Sequence, residues 1–151
     1  MRTVILAALS LTLAHPALAQ SPCRIQGAWE LVSGTVGATT VGWRQLKIIT
    51  ETHFAFVGES EDRGVKELKT AADSLQAFRT MFSGGGTYTL QGTTYTENME
   101  YFADPAYLGM SLPFTCRTEG DRFYQSGTYP ILEDGQPVRE VQLEEVWRRI
   151  G

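Results

Sequence analysis

The chain reads as an all-β protein: an antiparallel barrel of about eight short strands with one helix in mid-chain. Three observations predict it. Runs rich in β-branched, aromatic and aliphatic residues recur along the chain, separated by turn residues such as Gln91-Gly92 and Glu119-Gly120-Asp121. The first run opens with Gly27-Ala28-Trp29, and the last ends with Trp147-Arg148-Arg149. That pair of ends suits first and last strands that meet and plug one end of a barrel. An Arg guanidinium stacks on an indole face and is more weakly hydrated than a Lys ammonium, so it tolerates a half-buried place there. Trp29, Trp147 and Arg149 are therefore expected to be structural. Only one segment departs from strand-like patterning, and it lies between the early and the late strands.

The elements follow in order. Trp29–Ser33 and Leu46–Thr50 are the first two strands. His53–Val57 follows after Glu51-Thr52, a spacing that fits a tight hairpin or one long bent strand. From Val65 to Phe82 the period changes: Leu68, Ala71, Ala72, Leu75, Phe78 and Phe82 recur every three to four residues, which is an amphipathic helix. Ser83-Gly84-Gly85-Gly86 is expected to end it, because Gly readily takes the left-handed cap. Thr87–Leu90 returns to strand, Gln91-Gly92 turns, and Thr93–Tyr101 is the partner strand. Leu108–Arg117 and Arg122–Thr128 form another pair, and Val138–Ile150 closes the set.

The N-terminus reads as an export signal. Arg2 supplies a positive start, Val4–Leu13 is a short apolar run, and Ala17-Leu18-Ala19 is an A-x-A cleavage site. Residues 1–19 are thus expected to be a signal peptide and residues 20–151 one barrel domain, periplasmic or secreted. The apolar run is too short to span a bilayer and no later stretch approaches the length, so no transmembrane segment is expected. Lipidation at Cys23 is disfavoured, since Gln20-Ser21-Pro22 lacks the small or aliphatic residues such a site needs. The formal net charge is −4, with no basic patch, which argues against nucleic acid as a partner. Cys23 and Cys116 would share an oxidising compartment. Two readings stay open: a disulfide, or two thiols with Cys116 packing as a small apolar residue. Oligomeric state is not legible.

Five stretches together resemble the bacterial lipocalin-like domain proteins. They are Gly27-x-Trp29-Glu30-Leu31-Val32-Ser33; Leu46-Lys47-Ile48-Ile49-Thr50-x-Thr52-His53-Phe54; Gly84-Gly85-Gly86-Thr87-Tyr88-Thr89-Leu90-x-Gly92; Tyr95-Thr96-Glu97-x-x-Glu100-Tyr101; and Glu145-Val146-Trp147-Arg148-Arg149. The resemblance implies a calycin-type antiparallel barrel with an internal cavity, and it implies no reaction. The helix at Val65–Phe82 departs from the better-known lipocalins, whose main helix follows the barrel. It departs equally from fatty-acid-binding proteins, whose helices lie between the first two strands.

Candidate chemistry is sparse. His53 is the only histidine in residues 20–151, and two separated cysteines add no ligand cluster, so no metal is expected. No cofactor is expected either. Gly84-Gly85-Gly86 precedes a strand rather than a helix, so it cradles no phosphate. There is no Gly-x-Ser-x-Gly elbow, and a Cys116–His53 nucleophile pair is less favoured than a disulfide or plain packing.

Strand alternation gives better candidates. In Thr94–Tyr101, the face Tyr95, Glu97, Met99, Tyr101 is the more apolar and is expected to point inward. In the last strand Val141, Leu143, Glu145, Trp147 and Arg149 share a face. Glu97 and Glu145 would then be buried carboxylates, each needing a partner or a raised pKa. Arg44 and Arg149 are the expected partners of Glu97. Trp43, Tyr88, Tyr95, Met99, Tyr101, Phe114 and Tyr124 complete the expected cavity lining with Glu97 and Glu145, or else simply fill the core. Two functions follow. One is an exported protein binding a small hydrophobic or aromatic molecule. The other is a cofactor-independent lyase, isomerase or cyclase using His53, Glu97 and Tyr101 for proton transfer, with His53 at the cavity mouth.

Overall fold

The computed structural model describes residues 23–37 and 39–151; the expected signal segment lies outside them. The elements run β1 (Gly27–Val36), β2 (Thr39–Thr40), β3 (Trp43–Ile49), β4 (His53–Ser60), α1 (Ala71–Arg79), β5 (Met81–Gln91), β6 (Thr94–Phe102), β7 (Ser111–Glu119), β8 (Arg122–Glu133) and β9 (Gln136–Arg149). A 3-10 turn at Pro105–Tyr107 joins β6 to β7. Every strand pair is antiparallel, and β2 is a two-residue hook on β1. The other eight strands follow chain order, and β9 returns to β1, from Trp29↔Arg149 to Val36↔Leu143. The sheet therefore closes into an eight-stranded barrel with no free edge.

The β3–β4 connection is a tight hairpin: Thr50 N donates to His53 O at 2.8 Å, and Ile49 faces Phe54. The Asp134-Gly135 turn after β8 falls at one end of the barrel, and the tight turns after β3, β5 and β7 fall at the other. That end is sealed. Trp29, Tyr95, Phe123 and Trp147 are fully buried there, and the arm Cys23–Gln26 crosses beneath them. Trp29 Nε1 donates to Ile25 O at 2.6 Å. The Arg149 guanidinium stands 4.2 Å over the Trp29 ring and donates to Gln26 O at 2.9 Å. Cys23 and Cys116 are joined by a disulfide, tying the arm to β7 with Cα atoms 6.0 Å apart.

The helix differs from expectation. It spans only Ala71–Arg79, opened by a capping box in which Thr70 Oγ1 accepts from Asp73 N and Asp73 Oδ2 accepts from Thr70 N. It cannot extend to Phe82, because Glu59 and Met81 are register partners and the chain must rejoin the sheet at Met81. The helix is an excursion between neighbouring strands, and its apolar stripe does not face the barrel: Phe78 is 62% exposed, and Leu68 and Leu75 are also open, while Ala77 is buried.

Gly84-Gly85-Gly86 is not a cap but the middle of β5. A Cβ on Gly84 would lie 2.7 Å from Phe56 Cζ and 2.8 Å from Phe102 Cδ2. The bare backbone lets those two rings lie against the inner wall. A bulge between Gly85 and Gly86 leaves Glu100 unpaired on β6. Beyond it the alternation reverses, so Phe102 turns inward and Tyr101 is 73% exposed. The expected inward face of β6 is therefore corrected at Tyr101.

Candidate functional site

The inner wall carries a polar layer at mid-barrel, above the sealed aromatic floor. Gln45 and Lys47 come from β3, Glu97 from β6, Gln125 from β8 and Glu145 from β9, all buried. Each sits where strand parity points it inward: Lys47 shares a face with Ile49, Glu97 with Tyr95 and Met99, Gln125 with Phe123, Glu145 with Trp147. Lys47 Nζ donates to Glu97 Oε1 at 2.9 Å and to Gln125 Oε1 at 2.8 Å. It also stands 4.8 Å over the Trp147 ring. Trp147 Nε1 donates to Glu145 Oε2 at 3.2 Å.

Above this layer lies a cavity of about 340 Å³. Its upper wall is apolar, with Phe82, Met99, Phe102, Leu112, Phe114 and Leu143, and Trp43 stands at the rim. The volume is at the small end for ligand sites, and a mostly apolar wall with a few converging polar groups is their usual composition. A larger groove of about 650 Å³ runs along the β1–β3 seam and includes Glu30, Arg44 and Glu59. Arg44 pairs with Glu59 and Glu30 with Arg148, and Glu61 adds a further carboxylate. Trp43, Gln45 and Met81 line both groove and cavity.

Of the residues expected at the site, Trp43, Glu97, Met99, Phe114 and Glu145 line this cavity. Tyr95 lies below it in the floor. Tyr88 is near the sealed end, its hydroxyl donating to Thr50 O at 2.9 Å. Tyr124 is on the outer face, under the Arg117 guanidinium at 3.8 Å. His53 is exposed in the β3–β4 hairpin at the sealed end, sharing a hydrogen bond with Thr52 Oγ1, not at the mouth. With Tyr101 outside as well, His53, Glu97 and Tyr101 do not converge on one substrate. Glu97 pairs with neither expected arginine: Arg44 points outward to Glu59, and Arg149 covers Trp29. Its partner is Lys47, which sequence reasoning missed.

The electrostatics are uneven. Burial, and then the Glu97 charge, push Glu145 up to about 6, while Lys47 pulls it the other way. Burial and the adjacent Glu97 carboxylate hold the Tyr95 phenol far above its ordinary range, and its Oη has no hydrogen-bond partner. A carboxyl whose folded pKa is raised destabilises the fold once ionised. That cost is absent below the unfolded pKa and appears as pH rises from about 4.5 to 6. Glu145→Gln keeps an oxygen for Trp147 and is expected to stabilise the ligand-free protein at pH 7 by about 1–2 kcal/mol. Urea denaturation at several pH values checks this: the gain should vanish by about pH 4.5, and a pH-independent gain would contradict it.

The fold and cavity together define a class: a closed, calycin-like antiparallel barrel of eight strands with a polar-centred internal cavity. No protein-family model matches the chain, and no curated protein is similar to it in sequence.

Proposed function

We propose that this protein is an exported lipocalin-like carrier that binds one small, mainly apolar or aromatic molecule inside the barrel. The observation that carries the reading is the cavity itself. A chain that packs its floor to full burial keeps about 340 Å³ open directly above it. A pocket of this size, with a largely apolar wall and a few converging polar groups, is the usual make-up of a small-molecule site. The wall explains the ligand class: aromatic and aliphatic side chains surround the space, and a small polar layer orients what enters. Export is read from residues 1–19 and fits a role in the periplasm or outside the cell.

The test is binding of the neutral dye N-phenyl-1-naphthylamine, followed by fluorescence, to the parent and to Leu143→Trp. The indole is aimed into the cavity, so dye affinity should fall by at least about tenfold while the melting temperature holds or rises. Equal dye binding by both proteins would place the dye elsewhere and remove the support for a cavity ligand. Native mass spectrometry of protein taken from its own source then identifies what the barrel carries.

A further inference from the structure

We propose that the ligand carries a protonated amine, held with its ammonium against Glu145 and Gln45 and its apolar body toward Met99, Phe102 and Leu143. This rests on the carrier reading above and specifies its ligand. The polar layer holds more acceptors than it can satisfy. Its cation, Lys47, is spent on Glu97 and Gln125, and the ammonium faces the Trp147 ring. That leaves the second carboxylate, Glu145, with a single neutral donor, the Trp147 indole, among the described residues. Gln45 is only 8% exposed, and its Oε1 has no hydrogen-bond partner among the described residues.

A buried carboxylate with no cation hydrogen-bonded to it, only the field of a lysine already bonded elsewhere, and a buried carbonyl oxygen without a donor are both costly. One group of opposite charge with several N–H donors relieves both, and an ammonium is such a group. A carboxylate or phosphate ligand would find the exposed Arg79 of α1 in the cavity lining, but at the polar layer itself it would meet two carboxylates against one lysine. A neutral ligand would fill the space and leave the charge uncompensated.

Proton linkage follows from the same geometry. Facing Glu145 are Lys47 from β3, Tyr95 and Glu97 from β6 and Tyr129 from β8, and on β1 Gly34 lies beside it. A cation bound there competes with a proton for Glu145, so the amine is released as pH falls through about 6.

Tryptamine, tryptophol and 3-indolepropionate share one ring system and differ in the terminal group. Their affinities for the folded protein, measured by calorimetry, test the proposal. At pH 7.5 tryptamine should bind at least about tenfold tighter than tryptophol, the scale of one charge-assisted hydrogen bond, and the acid should be weakest. The tryptamine-to-tryptophol ratio should shrink at pH 5 and approach one in Glu145→Gln. Gln45→Met, which removes the orphan oxygen with a side chain of similar shape, should lower the ratio partway. Tryptophol or the acid binding as well as tryptamine, or a ratio that survives in Glu145→Gln, overturns the amine. So does binding of the neutral dye with none of the three indoles bound. Failure of the dye itself to bind the parent would overturn the carrier reading, and the amine with it.

Discussion

Replacing Lys47 with methionine is expected to destabilise the barrel by about 3–5 kcal/mol, a large part of the roughly 5–15 kcal/mol that holds a domain of this size together. Lys47 is 2% exposed, and its ammonium bonds both Glu97 and Gln125. Methionine fills the same space and satisfies neither. The Glu97 carboxylate is then buried without its ion partner, and Glu145 loses the charge that lowers its pKa. The cost comes less from the lost pair than from the orphaned acid, which gives the prediction a second arm. Lys47→Met combined with Glu97→Leu removes both ends of the pair and should recover most of the loss, because an apolar replacement of a buried ion pair is often near neutral. Urea denaturation at pH 7 measures both. A single variant within about 1 kcal/mol of the parent would mean the pair is solvated and the polar layer is not a buried network.

The same residue shows where sequence patterning stops being informative. In Trp43–Ile49 the aliphatic residues Leu46 and Ile48 flank Lys47, so polarity alone would send Lys47 outward. The barrel does the reverse: Ile48 is 47% exposed and Lys47 is buried. Parity is fixed by Ile49, which packs in the floor with Trp29 and Phe54, and the strand follows. The signal available in the sequence was indirect. Two carboxylates assigned inward, Glu97 and Glu145, require an inward cation, and Lys47 has the parity of Ile49. Glu97, Met99, Glu145 and Trp147 were legible because β6 alternates without a fault from Thr94 to Met99 and β9 does so from Val141 to Trp147, past its irregularity at Val138. Tyr101 was not, because the extra residue Glu100 reverses the alternation one step before it, and nothing local marks that bulge. The helix was legible as an element, but not its length or exposed face. Those are set by the Glu59–Met81 pairing, a contact between strands and not a property of the helical segment. The Asp134-Gly135 turn, with both φ angles positive, is a strong hairpin signal. It joins β8 and β9 into one long ladder that the separate runs had cut short.

Removing the disulfide, as Cys23→Ser with Cys116→Ser, is expected to cost about 4 kcal/mol, the loop-closure value for a long cross-link. The bonded residues are 93 apart in sequence, so most of the barrel lies inside the loop that the bond closes. Loss of the cross-link also loosens the arm. Ile25 is buried and accepts the Trp29 indole N–H, and the Gln26 carbonyl receives Arg149. Arg24 adds two more bonds, its N–H donating to Thr118 Oγ1 at 3.1 Å and its carbonyl accepting from Arg149 at 3.3 Å. Freed from Cys116, Cys23–Gln26 is held by these non-covalent contacts alone, and the floor beneath Trp29 and Trp147 is expected to open more often to water. The two effects separate experimentally. The entropic part appears as a lower urea midpoint with a somewhat steeper slope, because the denatured chain released from the cross-link is more expanded. The local part appears as faster hydrogen exchange at residues 24–29 under conditions where the rest of the barrel stays protected. Because the cavity lies above this floor, dye affinity should change less than stability does. A variant, or a parent treated with a thiol reductant, that unfolds at the parental urea midpoint would show that packing at the sealed end suffices without the bond.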